Sequence, residues 1–165
     1  MKRMLKKFKI YLVFSLLLIS CNSKTVFSEY QSLPNNTWFL NHKIVFNVDN
    51  KDTIFNKNVF INIRNTTDYP FSSLFLIAKI ETPSKKQIID TLEYQMADNY
   101  GNWLGSGISN LKENKLIYKQ NYLFLNKGNY KFTIQQATRG TNDVDGTMPL
   151  KGISDVGLSI EKIKE

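Results

Sequence analysis

Asn58-Val59-Phe60-Ile61-Asn62-Ile63-Arg64 decides the fold. Val59, Ile61 and Ile63 fall on one side of an extended chain, and Asn58, Asn62 and Arg64 on the other. Phe60 alone departs from the polar side. Successive side chains of an extended backbone point to opposite faces, so a period of two marks a strand with one face in a core. The spacing predicts a strand over Phe55 to Arg64. The same period recurs on both sides of it. Downstream, Leu92, Tyr94 and Met96 alternate with Thr91, Glu93 and Gln95, while Tyr130, Phe132 and Ile134 alternate with Lys131, Thr133 and Gln135. Val156, Leu158 and Ile160 form a last strand, and Leu116 to Phe124 is another. Leu74 to Ile80 is apolar on both faces and reads as a buried central strand. Upstream, Lys43 to Val48 is β-branched and aromatic, and Val26 to Tyr30 reads as a first short strand.

Turn residues separate these runs. Leu33-Pro34-Asn35-Asn36, Asp49 to Asp52, Pro83 to Lys86 and Asp98 to Asn102 carry the Pro, Asn, Asp and Gly that turns require. Pro70 excludes a central strand at its position. Lys127-Gly128-Asn129 reads as a hairpin-like turn, Leu111 to Lys115 as a helical turn or loop, and Thr141 to Thr147 as a loop. Gly105 and Gly107 around Ser106 point to a bulge or a close backbone approach. There is no amphipathic helix of useful length. About eight strands at this spacing imply an all-β fold, a single antiparallel β-sandwich. A jelly roll is one version of it; strand order is not readable from the chain.

The amino terminus has a different logic. Five cations (Lys2, Arg3, Lys6, Lys7, Lys9) precede an uncharged run from Ile10 to Ile19, which ends in Leu18-Ile19-Ser20-Cys21. A positive segment, a short apolar run and a small residue at the cut make a secretory signal. The run is too short to span a bilayer, which needs about 20 apolar residues. Leu18 to Cys21 also resembles the lipobox of bacterial lipoproteins, in which the cysteine is acylated and becomes the new amino terminus. The chain is therefore read as a signal over 1–20, a lipid anchor and short tether over 21–29, and a sandwich over 30–165. Of 22 basic residues five lie in the signal, which holds no acid, so 17 basic residues face 14 acidic ones after the cut. That near balance gives no reason to expect nucleic acid as a partner.

Residues able to do chemistry are few. His42 is the only histidine and Cys21 the only cysteine. A catalytic triad would have to use His42, which lacks any nucleophile motif nearby and reads as a solvated strand-end residue. Asp90 and Glu93 fall on opposite faces of their strand, which does not suit a paired-carboxylate hydrolase. Asn142-Asp143-Val144-Asp145-Gly146 has part of a calcium-loop spacing, but Thr141 and Gly152 stand where acids would be needed. No catalytic residue, metal or cofactor is expected. Trp38 and Trp103 read as core or cap residues. Trp103 with Tyr100 would alternatively form a stacking platform for a sugar, which gives a surface carbohydrate-binding lipoprotein as the second reading. Arg139 is a candidate for a partner's carboxylate or for a bridge to Asp155.

Four ordered segments resemble one family. They are Asp68-Tyr69-Pro70-Phe71-Ser72-Ser73-Leu74; Asp90 to Tyr94 with Ala97-Asp98 and Gly101-Asn102-Trp103-Leu104-Gly105-Ser106-Gly107; Gly128 to Phe132 with Gln136 and Arg139; and Leu150 to Leu158 with Ile160-Glu161-Lys162. With the lipobox, they are similar to the gliding motility lipoproteins GldH of Bacteroidetes. Three places depart from the family pattern: Ala137-Thr138 before Arg139, a long Thr141–Thr147 loop, and Ser159 in place of a cation. The resemblance implies a non-enzymatic lipoprotein of the outer membrane, linked to gliding and type IX secretion. Its expected partners are membrane lipid through Cys21, other gliding lipoproteins and envelope proteins. Surface-exported lipoproteins of that group carry acids just after the cysteine. Asn22-Ser23-Lys24-Thr25 has none, so the resemblance implies a domain facing the periplasm. Interaction residues are expected among Trp103, Arg139 and Asp155.

Overall fold

The extended stretches become strands in the computed structural model, which describes residues 24–139 and 149–163. In chain order they are β1 (Thr25–Ser32), β2 (Thr37–Trp38), β3 (Ile44–Asn50), β4 (Lys57–Thr66), β5 (Ser73–Glu81), β6 (Gln87–Gln95), β7 (Leu111–Tyr122), β8 (Gly128–Gln136), β9 (Leu150–Lys151) and β10 (Ile153–Lys162). One sheet has the order β1-β10-β4-β7 and a second the order β3-β8-β5-β6, with β2 and β9 as a small pair. Every pairing is antiparallel. Among the eight long strands only β5 and β6 are sequential neighbours in one sheet. Every other connection crosses between the sheets, which is the wiring of a jelly roll. Cys21, the Thr141–Thr147 loop and its acidic residues lie outside the described residues.

Burial explains why the period of two was so clean. Val59, Ile61 and Ile63 of β4 and Val156, Leu158 and Ile160 of β10 share a core with Ile44 and Phe46 of β3, Phe132 and Ile134 of β8, and Leu74 and Leu76 of β5. Each such side chain, fully buried, contributes about 1.5–3 kcal/mol. Trp38 is wholly buried, and its indole N–H donates to the His42 carbonyl at 2.8 Å, so no polar atom of the ring is stranded. The open sides of the sandwich are stitched by side chains. On one side Gln31 Nε2 donates to the Val45 carbonyl at 2.8 Å. On the other, Tyr94 donates to the Ile117 carbonyl at 2.8 Å, and Asp90 accepts from Tyr118 and Lys119, each at 2.9 Å. Burial pushes the Asp90 carboxyl up, but Lys119 and Tyr118 outweigh it and hold the group below its ordinary range.

Three expectations change in the fold. β5 is paired on both edges, yet only one face is buried; Phe75 and Ile77 lie on the half-exposed outer face. Leu111 to Lys115 is the start of a twelve-residue β7, and its polar Asn114 is buried because it donates to Asn65 Oδ1 at 2.8 Å. Lys127-Gly128-Asn129 does not close a hairpin, since β7 and β8 belong to different sheets. The first strand expected over Val26 to Tyr30 is present as β1, which starts one residue earlier and runs two further, paired with β10.

The registers place three connections (51–56, 82–86 and 123–127) at one end of the sandwich, with the start of β1 and the end of β10. This is the entry end. The connections 33–43, 67–72 and 96–110 lie at the far end, with the end of β8 and the start of β10. At the entry end Lys57 is buried. Its Nζ donates to Asp52 Oδ2 at 2.8 Å and to the Phe55 carbonyl at 3.2 Å, and Asp52 Oδ1 accepts the Ile54 N–H at 2.9 Å. Those bonds, that from Lys57 first, push the Asp52 carboxyl down to about 2. At the far end Gly152 donates to the Asn36 carbonyl and accepts from Thr66, both at 2.8 Å, with φ at +82°. A Cβ there would stand 2.3 Å from the Tyr69 backbone nitrogen.

Gly152→Ala is expected to cost about 2–5 kcal/mol in urea unfolding, the sum of a left-handed penalty and overpacking. The Asp52 contribution has a sign in pH. Its folded carboxyl binds a proton less readily than an unfolded one, so its stabilisation is complete above an ordinary carboxylate pKa of about 4 and is lost as pH falls through about 2. The stability difference between the wild type and Asp52→Asn should be constant near neutrality and shrink across that acid window.

Candidate functional site

Ala97-Asp98-Asn99-Tyr100-Gly101-Asn102-Trp103 leaves β6 and folds back on itself because Asp98 caps its own turn. Asp98 Oδ1 accepts the N–H groups of Tyr100 and Asn102 at 2.9 and 2.8 Å, and Oδ2 accepts from Asn102 Nδ2 at 2.9 Å. The bonds from Asn102 hold the Asp98 carboxyl below its usual range. Isolated bridges Ala97 to Trp103 and Ser106 to Glu113 then pin the rest of the connection. Gly107 passes against the Leu111 carbonyl, as the flanking glycines predicted. Trp103 packs on the core and lies 6.2 Å from the Tyr69 ring, centroid to centroid. Tyr100 and Ile108 are 91% and 94% exposed, and Leu104 is also exposed. A polar cleft of about 710 Å³, lined by Ser73, Glu93, Gln95, Asp98 and their neighbours, runs beside the turn. The connection thus keeps three large apolar side chains in water beside a turn fixed by Asp98.

A second constellation crosses the outer face of the first sheet. Register sets Ser32, Asp155, Arg64 and Glu113 in one row over β1, β10, β4 and β7. Asp155 accepts from Ser32 at 2.6 Å and Ser154 at 2.8 Å. Arg64 Nε donates to Glu113 at 3.1 Å and its guanidinium lies 4.3 Å from the centre of the Tyr30 ring. Tyr30 reaches across β10 to donate to the other Glu113 oxygen at 2.8 Å. Burial, then that hydrogen bond, push its phenol up to about 12. The ring passes flat over Gly157, where a Cβ would stand 2.7 Å from two ring carbons. Half-exposed pairs of this kind are worth about 0–1 kcal/mol each, so the row fixes a surface more than it stabilises the fold.

The sequence candidates separate in space. Trp103 is a wall of the core beside Tyr69. It and Tyr100 share no ring contact among the described residues. Arg139 is exposed at the far end after β8, and Asp155 sits in the row on the other sheet; the described residues contain no ion pair between them. Thr138, one of the departures from the family pattern, is buried and accepts the Phe75 N–H at 3.0 Å. Ser159, another, is buried and accepts from Asn62 at 2.9 Å. His42 is exposed, and the described residues hold no cluster of His, Cys, Asp or Glu able to bind a metal. Sequence reasoning missed Tyr30, Arg64 and Glu113 as a set. The outward position of Arg64 was readable, but its partners come from strands 34 and 49 residues away along the chain.

Residues 25–160 match the family described as GldH lipoprotein. The chain is 47% identical over 151 residues to the "Gliding motility lipoprotein GldH homolog" of Christiangramia forsetii, with 91% of this chain and 92% of that protein covered. It is 42% identical over 158 residues to the "Gliding motility lipoprotein GldH" of Flavobacterium johnsoniae, covering 96% and 98%. Among solved structures, the VP2 subviral particle of infectious bursal disease virus aligns with 88% of this chain and 44% of its own at 15% identity. Its TM-score is 0.29, too low to carry an argument.

Gly157→Ala should cost about 1–3 kcal/mol in urea unfolding by displacing the Tyr30 ring. In a Tyr30→Ala background the same change should be neutral or stabilising, because alanine suits a strand better than glycine. An undiminished cost there would show that Tyr30 is not what the glycine accommodates.

Proposed function

The chain belongs to the GldH lipoprotein family, and from that premise we propose a non-enzymatic lipoprotein, acylated at Cys21, that docks other proteins of the gliding-motility and type IX secretion-associated machinery. Its anchor is in the outer membrane and its domain faces the periplasm. Support for the membrane attachment comes from the lipobox-like Leu18 to Cys21 and from the names of the relatives, both of them gliding motility lipoproteins. Support for periplasmic orientation comes from the lack of acids in Asn22 to Thr25. The single observation that carries the docking role is the far-end turn, in which Asp98 holds Tyr100 and the connection beyond it holds Leu104 and Ile108 in water. Protein interfaces are built around such apolar and aromatic anchors, and pre-organising them lowers the entropy lost on binding. Glu93 and Asp98 in the adjoining cleft favour a partner with a basic rim, and Arg139 at the same end offers one cation to a partner carboxylate.

Two outcomes follow. Cys21→Ala should abolish incorporation of labelled fatty acid and release the protein from membranes; normal labelling of that variant sinks the anchor. In-cell crosslinking should recover envelope proteins of the gliding or secretion machinery. Tyr100→Ala with Ile108→Ser should reduce that recovery about tenfold or more, as loss of interface anchors does. Both side chains are exposed, so the fold should survive. Undiminished recovery would move the docking surface elsewhere.

A further inference from the structure

We infer that the entry end of the sandwich rests on a bilayer surface containing anionic phospholipid, with Ile54, Phe55 and Leu125 entering the boundary between headgroups and acyl chains. The inference rests on Cys21 being the acylated residue.

Distance selects this end. Thr25 already belongs to β1, so only Asn22, Ser23 and Lys24 separate it from Cys21. Four residue steps span at most about 14 Å even when fully extended. The ten residues of β4 alone extend about 33 Å, so the far end meets a bilayer that holds Cys21 only if the sandwich lies on its side, whereas the entry end stays within tether length in every orientation. The entry end is held against it.

The surface presented there has the chemistry of an interface with lipid. Ile54, Phe55 and Leu125 are 78%, 60% and 74% exposed, on two different connections. Both connections are pinned. Lys57 and Asp52 fasten the first, Asn50 donates to the Asn126 carbonyl at 2.9 Å, and the Asn126 N–H donates to Tyr130 at 3.0 Å. Between the tips, Phe124 is buried and takes Lys57 on its ring at 5.5 Å. The apolar tips are thus fixed outward at one end rather than collapsed.

Charge points the same way. The acids described at this end are engaged: Asp52 with Lys57, Glu81 with Lys85, Asp49 with Lys51 and Glu161 with Lys115. Lys24, Lys86, Lys127 and Lys162 form no ion pair among the described residues. A basic residue near an anionic leaflet is worth about 1 kcal/mol, and each buried methylene about 0.8 kcal/mol. Neither effect would hold the domain alone, but next to an acyl anchor both act to orient it.

The test uses the full acylated chain in vesicles of phosphatidylethanolamine with phosphatidylglycerol. Acylation leaves no free thiol, so Ile54→Cys, Leu125→Cys and Tyr100→Cys each give a single position for a polarity-sensitive fluorophore. Labels at 54 and 125 should shift to the blue and be quenched by nitroxide-bearing lipid, while a label at 100 stays aqueous. Lys86→Glu with Lys127→Glu should weaken that quenching when phosphatidylglycerol is present and not in its absence; equal quenching in both would overturn the headgroup contact. Flotation with vesicles reports the anchor separately. Protein that floats with all three labels in water overturns the lipid contact and leaves the anchor standing. Protein that does not float removes the anchor and the contact with it. Labels shielded only as protein concentration rises, without lipid quenching, would assign this end to a second copy and overturn the inference.

Discussion

β10 is hydrogen-bonded along both edges, to β1 on one side and β4 on the other, and its inward Val156, Leu158 and Ile160 lie in the core. It is also the last strand to be made. Until it arrives, β1 has no partner in its sheet and β4 has an open edge facing it. The first sheet therefore closes only when the whole domain is present. Pairings of such high sequence separation cost loop-closure entropy before they return any contact energy, which makes folding slow and late.

Strand positions were legible because each long strand buries one face, and a period of two is then imposed on the residues themselves. The runs around Val59, Leu92, Tyr130 and Val156 all sit where their alternation put them. Leu111 to Lys115 was illegible for a tertiary reason: buried Asn114 is acceptable because Asn65 Oδ1 and the Ile63 carbonyl of β4 accept from it, and no local pattern reports those partners. The outer face of β5 misled in the opposite sense, since exposed isoleucine looks like core in a sequence. At the candidate site, Asp98 and its turn could be read from residue types alone, because Asp and Asn cap turns through their own neighbours. The Tyr30, Arg64 and Glu113 row could not, since it exists only once strand order is known.

The two ends of the sandwich divide its work. Jelly-roll wiring sends every crossover to one end or the other and leaves the faces to the strands. The far end gathers the longer connections and with them the pinned turn at Asp98. The entry end gathers shorter ones, clamped by Lys57 and bearing lysines with no ion pair among the described residues. Between them lie about 30 Å of regular sheet whose outer faces carry polar side chains and scattered apolar ones. That division fits the proposed roles, in which one end stands on the membrane and the other is offered to a partner.

β1 has one further property. It lies antiparallel to β10 through seven paired positions, with its first residue, Thr25, at the entry end. A pull between the membrane and the far-end loops runs parallel to β1, across its hydrogen bonds rather than along them. Those bonds share the load and must shear together, where a strand peeled from its tip would lose them one at a time. If the proposed anchor holds at Cys21, this edge strand is mounted in the geometry that resists mechanical extraction, and tension is felt first by the β1–β10 seam.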